Sequence, residues 1–370
     1  MLGLPYKIHI GSYREGGARM RERNIFRKNL LPLTTGLILL AFLFVACSAS
    51  DNGTSAKVGI EPSPNDSQTA SVASNQENVS EIVYEKEPVL PVTVIDHLGD
   101  EITIDSVERI IPLDGSVAEV VFALELGEKV VATDISATWP PEADALPEIG
   151  YQRSLSAETI ATFAPTILIG TEIAGPPQAI EDLRKLGYPV VIVPNEASSQ
   201  GPGGKIRAVA SALGVPNRGE ILAKNLDEQI NSFNKPSSDE QKPVVVALYI
   251  RGQGTQLVLG KNSATYWLIE AAGGRNVADI LDIDDYVPIT AESLLVASPD
   301  AIIVPSAGLD SVGGIEGLLQ VGSISQTPAG LNQAIFSYDD QLLLGNGPRI
   351  GDLLQRLIND LENVQSARLE

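Results

Sequence analysis

Apolar positions along the chain follow two spacings, and the places where one gives way to the other divide it. From residue 92, VTVID and EITI flank HLGD with alternate positions apolar, which predicts a β-hairpin turning at 97–100. RIIP (109–112) reads as a strand, and VAEVVFALELG (117–127) has three- and four-residue apolar spacing, predicting a helix closed by Gly127. The alternation continues with VVAT (130–133), a helix after Ser156, a strand TILI (166–169), a helix over 177–186 and a strand PVVIV (189–193). Strands alternating with helices of this length predict parallel α/β construction. Over 203–233 the strand signal stops: KIRAVASAL and EILAKNLDEQI keep helical spacing on either side of Gly214 and Pro216, as one kinked helix or two. After a polar hinge at 234–242, a second α/β series opens with PVVVALYI and ends in an amphipathic helix from Asp352 onward.

One piece of this pattern occurs twice. SAETIATFAPTILIG (156–170) and TAESLLVASPDAIIV (290–304) align without a gap at an offset of 134. Ser156 meets Thr290, Glu158 meets Glu292 and Pro165 meets Pro299. The same cap, helix and strand in each half predict two similar α/β lobes with a mostly helical segment between them. Ser156 and Thr290 are good N-cap residues, and a carboxylate in the first helical turn is favoured by the helix dipole. That capping alone suffices to explain Glu158 and Glu292.

The N-terminal end departs from globular composition. Basic residues from Arg14 to Lys28 precede the apolar run LLPLTTGLILLAFLFVA, which leads into Cys47, the chain's one cysteine. A basic region, an apolar region and a small residue before the cut predict a secretory signal. The cysteine after FVA resembles a bacterial lipobox, which implies lipidation at Cys47 and a signal peptide over 1–47. Residues 48–88 are rich in Ser, Asn, Asp, Glu, Gln and Pro, and predict a flexible tether. Of 26 basic and 47 acidic residues, seven and two lie within 1–46, leaving 19 and 45 and a formal charge of −26. A surface so negative repels phosphate backbones, so no nucleic-acid partner is expected.

Candidate chemistry centres on IGYQRSLSAE (149–158), ahead of the first repeat. On an extended backbone Tyr151 and Arg153 leave on the same side. A guanidinium beside a phenol favours the phenolate, a hard oxygen donor suited to ferric iron, and tyrosine serves as an axial haem ligand. A loop tyrosine packed on the surface is the bland alternative. Of two histidines, His9 lies in the signal region and His97 in the hairpin turn, which leaves no histidine cluster for zinc or manganese. GQGTQL (252–257) lacks the third glycine of a dinucleotide fingerprint, and GPGGK (201–205) lacks the spacing of a phosphate loop. No GxSxG elbow is paired with a usable histidine. A nucleotide-using α/β enzyme is therefore the remote alternative, and the reading is non-enzymatic.

With RIIPLDGSVAEVVFAL (109–124), the two repeats and LLLGNGPR (342–349), the chain resembles the solute-binding proteins of ABC importers, in the iron-complex, corrinoid and haem subclass. The resemblance implies two Rossmann-like α/β lobes joined by a long α-helix, with the ligand cleft between them. The boundaries expected are a first lobe over 89–200, a connecting helix over 201–234 and a second lobe over 235–370. It implies that Glu158 and Glu292 dock on the membrane permease, which works with its ATPase, and that a monomer is held outside the cytoplasm by its lipid. The Tyr-x-Arg of the first lobe looks like that of haem carriers, in which Tyr151 ligates the iron and Arg153 supports it. The iron is then five-coordinate, or its sixth position falls to Tyr249, Tyr286 or water, and Arg153, Arg251 and Arg349 could hold the propionates. Solvated arginines and packed tyrosines stay open beside those roles. Trp139 and the pair Tyr266–Trp267 could wall the macrocycle, or belong to the core. A ferric siderophore or a cobalamin-type corrinoid is the alternative cargo.

Overall fold

The computed structural model describes residues 84–233 and 242–369. The signal segment with Cys47, the start of the tether and most of the polar hinge lie outside these residues. The hairpin forms where alternation predicts it, with β1 (Val92–Ile95) antiparallel to β2 (Glu101–Ile104) and His97 exposed in the turn. The first lobe is built on β3 (Ile110–Pro112), β4 (Ile167–Thr171) and β5 (Val190–Val193), all parallel, in the order β3-β4-β5. Every residue of β4 and β5 is buried, as expected of strands covered on both faces. The VVAT stretch contributes only isolated bridges, Ile110 to Val130 and Thr133 to Glu148, and not the strand its composition suggested.

The second lobe is a larger, mixed sheet. Its strands are β6 (Val244–Arg251), β7 (Thr255–Val258), β8 (Arg275–Asn276), β9 (Val287–Pro288), β10 (Ala301–Pro305) and β11 (Ile335–Tyr338). The order is β11-β10-β6-β7-β9, and β8 pairs with β6. β6 pairs in parallel with β10 and β8, and β10 with β11, as in the first lobe, but β7 is antiparallel to β6 and β9 to β7. The two lobes are thus alike at their centres and different at one edge.

The repeat has the same local structure in both copies. Helices Ala157–Ala161 and Ala291–Ala297 start at Ser156 and Thr290, whose hydroxyls accept from Thr159 N (3.2 Å) and Ser293 N (3.0 Å). Each copy then carries one left-handed residue before its proline, Ala164 (φ 45°) and Ser298 (φ 46°). The residue before a proline is driven out of the right-handed helical region, so neither helix continues to its proline, and the first ends two residues earlier in the repeat than the second. The following strands, β4 and β10, are each paired on both sides in their sheet.

Between the lobes the helical segment is two helices, Gly201–Ala212 and Pro216–Ser232, folded against one another. Gly214 (φ 71°) turns the chain, and Val89 N donates to its carbonyl at 2.8 Å. Arg207 clamps the pair through Glu220 (2.7 Å) and Asp227 (2.9 Å). The second helix leads toward the second sheet, and Gln229 on it donates to Asp352 (2.9 Å) of the C-terminal helix Ile350–Leu369. Residues 84–88, placed by composition in the tether, are part of the folded body. Arg218 donates to Glu85 O (2.6 Å) and Lys86 O (2.5 Å) and covers the Tyr84 ring.

Candidate functional site

In both sheets the strands around the centre run parallel, so their carboxyl ends gather on one side, the place where open α/β sheets bind ligands. Gly115, after β3, and Trp139 meet Gln341, after β11, and the loop 149–153 lies near Tyr249 of β6. Tyr151 stands in the first-lobe loop, 36% exposed, so its ring is neither buried nor free of the protein. Ile135 N donates to Gly150 O (3.1 Å), and Gly175 N donates to Gln152 O (2.8 Å). These bonds pin the loop on either side of the tyrosine. Arg153 is exposed and forms no ion pair among the described residues. The extended backbone expected between Tyr151 and Arg153 is corrected to a turn, closed by Ser154 N donating to Tyr151 O (2.8 Å), so alternation does not place the two side chains on one side.

Tyr249 approaches from β6 of the second lobe and interacts with the Tyr151 phenol across the gap. Its own phenol is raised above the ordinary value of 10.0, first by burial, against the lowering effect of Arg251, with Tyr151 and Asp340 adding to the rise. It therefore stays protonated at neutral pH. Alternation along β6 puts Arg251 on the same side, and its guanidinium lies 4.5 Å from the Tyr249 ring centre. Each lobe thus presents a Tyr-x-Arg, and the two tyrosines are near enough for the Tyr151 phenol to add to the rise at Tyr249. The sequence already held both motifs; their opposition depends on the packing of the lobes.

The three candidate arginines are not equivalent. Arg251 pairs with Asp340 at 2.5 Å, and Arg349 is held by Glu119 at 2.8 and 2.9 Å. Arg349 is therefore corrected from a free propionate clamp to half of an ion pair between lobes, because Glu119 (4% exposed) needs its charge. Of these three arginines, Arg153 alone has no carboxylate partner among the described residues.

Tyr286 is also corrected. Val258 registers with Val287, while Arg251 registers with Thr255 at the other end of β7. Tyr286, 52% exposed, thus lies beyond the end of the β7–β9 ladder remote from Arg251. Its near-symmetry with Tyr151 in sequence fails because the second lobe inserts antiparallel strands there. Trp267 is core, with its indole donating to Asn346 Oδ1 (3.2 Å), and Tyr266 donates to Asp279 (2.9 Å). Trp139 is exposed at the gap, with Arg349 4.6 Å from its ring centre, and lines a cavity of about 270 Å³ with Thr138, Leu342 and Arg356.

Glu158 and Glu292 are exposed in the first turns of their helices and form no ion pair among the described residues. Beneath the gap lie charged groups that sequence patterning did not single out. Lys205 is fully buried and donates to Ser116 Oγ (2.9 Å) and Gly345 O (2.7 Å). Burial lowers its pKa to about 8, against the opposing pull of Asp114, Glu172 and Glu119. Asp134, 1% exposed, is pushed up to about 7 by burial and by Asp114. Its amphipathic surroundings gave no periodic signal to find it by. Among the described residues no helix is long and apolar enough to cross a membrane.

The profile of the periplasmic binding protein family matches residues 110–342. Among solved structures, the periplasmic haem-binding protein RhuT of Roseiflexus sp. RS-1 in apo form is 42% identical, with a TM-score of 0.66, covering 70% of this chain and 99% of its own. The haem-binding protein HmuT is 32% identical, with a TM-score of 0.69, over 76% of this chain and 93% of its own. HmuT has also been solved as alanine variants at a histidine, a tyrosine and an arginine, the last two separated by one residue. The vitamin B12-binding protein of Pectobacterium atrosepticum is 21% identical over 70% of this chain and 90% of its own length.

Proposed function

The chain belongs to the periplasmic binding protein family, and from that premise we propose that it captures haem between its lobes outside the cytoplasm and delivers it to an ABC permease. The observation that carries this reading is the nearness of Tyr151 and Tyr249, one from each lobe and each followed two residues on by an arginine. A porphyrin offers its iron along an axis normal to a flat plane, which two phenols approaching from opposite walls can reach. Tyr151, with the free guanidinium of Arg153 nearby, is the phenolate ligand. Tyr249, half-buried and held protonated, faces the opposite side and serves as hydrogen-bond donor or weak sixth ligand. The tyrosine and arginine changed in the HmuT variants have a spacing that Tyr151 and Arg153 share with Tyr249 and Arg251.

Arg153 is the cation for a propionate, since Arg251 and Arg349 already have carboxylate partners. Glu158 and Glu292 seat the loaded protein on basic residues of the permease, one contact from each lobe. Cys47, lipidated after removal of the signal peptide, keeps the protein at the membrane. No bond is made or broken in the cargo; the work is capture, protection and release.

Haemin titration tests the reading. The wild type gives a Soret band with stoichiometric uptake and a ferric-phenolate charge-transfer band, and Tyr151→Phe loses the latter. The vitamin B12-binding relative favours a second reading, with a corrinoid in the same gap. In that case cobalamin binds, and Tyr151→Phe leaves its affinity unchanged.

A further inference from the structure

Gln341 belongs to the second lobe, in the first turn of helix Asp340–Gly345, and is 6% exposed. Its whole amide is engaged by the first lobe. Nε2 donates to Gly115 O (2.8 Å), Trp139 O (3.1 Å) and Glu119 Oε2 (3.1 Å). Oε1 accepts from Trp139 N (2.8 Å) and Thr138 Oγ1 (3.2 Å). Two amide hydrogens are shared among three acceptors, and both halves of the side chain are used. No hydrocarbon of that length could satisfy this set, and a buried backbone N–H left without an acceptor is costly.

From this amide, short chains of contacts lead to both tyrosines. On the first-lobe side, Trp139 ends the segment 134–139, which holds the Tyr151 loop through Ile135 N to Gly150 O. The same segment is fixed to helix Gly115–Ala123 by Gly115 N to Ser136 Oγ (3.0 Å). On the second-lobe side, the adjacent residue Asp340 pairs with Arg251, which covers the Tyr249 ring. Asp340 also accepts from Ala307 N (3.0 Å), so it is itself fixed. Gln341 is thus the point at which the two tyrosine-bearing supports are tied together.

We propose that Gln341 is a positioning residue that sets the register of the lobes, and through it the separation of Tyr151 from Tyr249. Resting on the haem reading above, this separation is what selects a flat ligand over a bulkier one. The gap is set by a side-chain latch in addition to the helices that connect the lobes. Because the latch lies between lobes, its loss leaves each sheet intact. Glu119 with Arg349 and Lys205 with Gly345 still join the halves.

The test compares full-length wild type with Gln341→Leu and Gln341→Glu by hydrogen exchange without ligand, followed by haemin dissociation. In Gln341→Leu, amides of 134–139, 149–153 and 249–253 exchange about tenfold faster while β4 and β10 keep their protection, and haemin leaves about tenfold faster. In Gln341→Glu the new carboxylate faces Glu119, so the same segments loosen at about pH 8 and tighten again at about pH 5, where protonation restores a donor. Wild-type exchange in those segments of Gln341→Leu overturns the proposal. So does a loss of protection that includes β4 and β10 in both variants at both pH values, which marks general destabilisation. If the wild type takes up no haemin, the haem reading fails, and the exchange comparison still decides the latch because no ligand enters it.

Discussion

Glu119 of the first lobe and Arg349 of the second meet in a two-pronged ion pair, 2.8 and 2.9 Å, beside the indole of Trp139. Removing one partner of a buried pair strands the other charge. Arg349→Ala is expected to lower stability by about 3–5 kcal/mol. Replacing both groups with apolar residues of similar size costs much less. Urea denaturation of the single and double variants checks this; a loss below about 1 kcal/mol for Arg349→Ala contradicts the assignment.

Asp134 makes stability depend on pH. Its folded pKa of about 7 lies above the ordinary 3.8, so the unfolded chain ionises first and folding is penalised as pH rises from about 4 to about 7. The full penalty, on the order of 4 kcal/mol, applies above pH 7 and vanishes below the unfolded value. Asp134→Asn therefore raises the melting temperature at about pH 8 and changes it little at about pH 4. Equal shifts at both pH values would count against the burial of this charge.

The docking role proposed for Glu158 and Glu292 is separable from the cargo site by experiment. Glu158→Ala with Glu292→Ala is expected to bind haemin as the wild type does, yet to lose at least about tenfold in transport with the reconstituted permease. Each single change gives a partial loss. Reduced haemin affinity in the double variant would place these residues at the ligand instead.

The two N-caps give a smaller, local effect. Thr290→Ala removes a capping box and Ser156→Ala a single cap, so each costs about 1 kcal/mol. Thermal denaturation should place Thr290→Ala at or above Ser156→Ala in cost. The reverse order would contradict the reciprocal bonding between Thr290 and Ser293.

The parts written in local pattern were legible in the sequence. The duplicated cap, helix and strand at 156–170 and 290–304 needed only spacing, and their equivalence extends to Ala164 and Ser298, whose backbone sign no pattern displays. Tyr151 and Arg153 could be singled out because their chemistry lies two residues apart. Tyr286 could not be judged, because an inserted antiparallel edge breaks the symmetry that made it a candidate. Arg349 looked free because its partner, Glu119, is 230 residues away. Gln341 had no signal at all: a glutamine in a helix is ordinary until the other lobe is placed against it. Contacts between lobes are long-range by construction, and they decide which polar residues are available to a ligand.

The most direct measurement is the absorption spectrum of haemin-loaded protein, wild type against Tyr151→Phe, with Tyr249→Phe alongside. Iron ligated by Tyr151 predicts a phenolate-to-iron charge-transfer band in the wild type, its loss in Tyr151→Phe, and its survival in an altered form in Tyr249→Phe. An unchanged band in Tyr151→Phe would contradict the account at its centre.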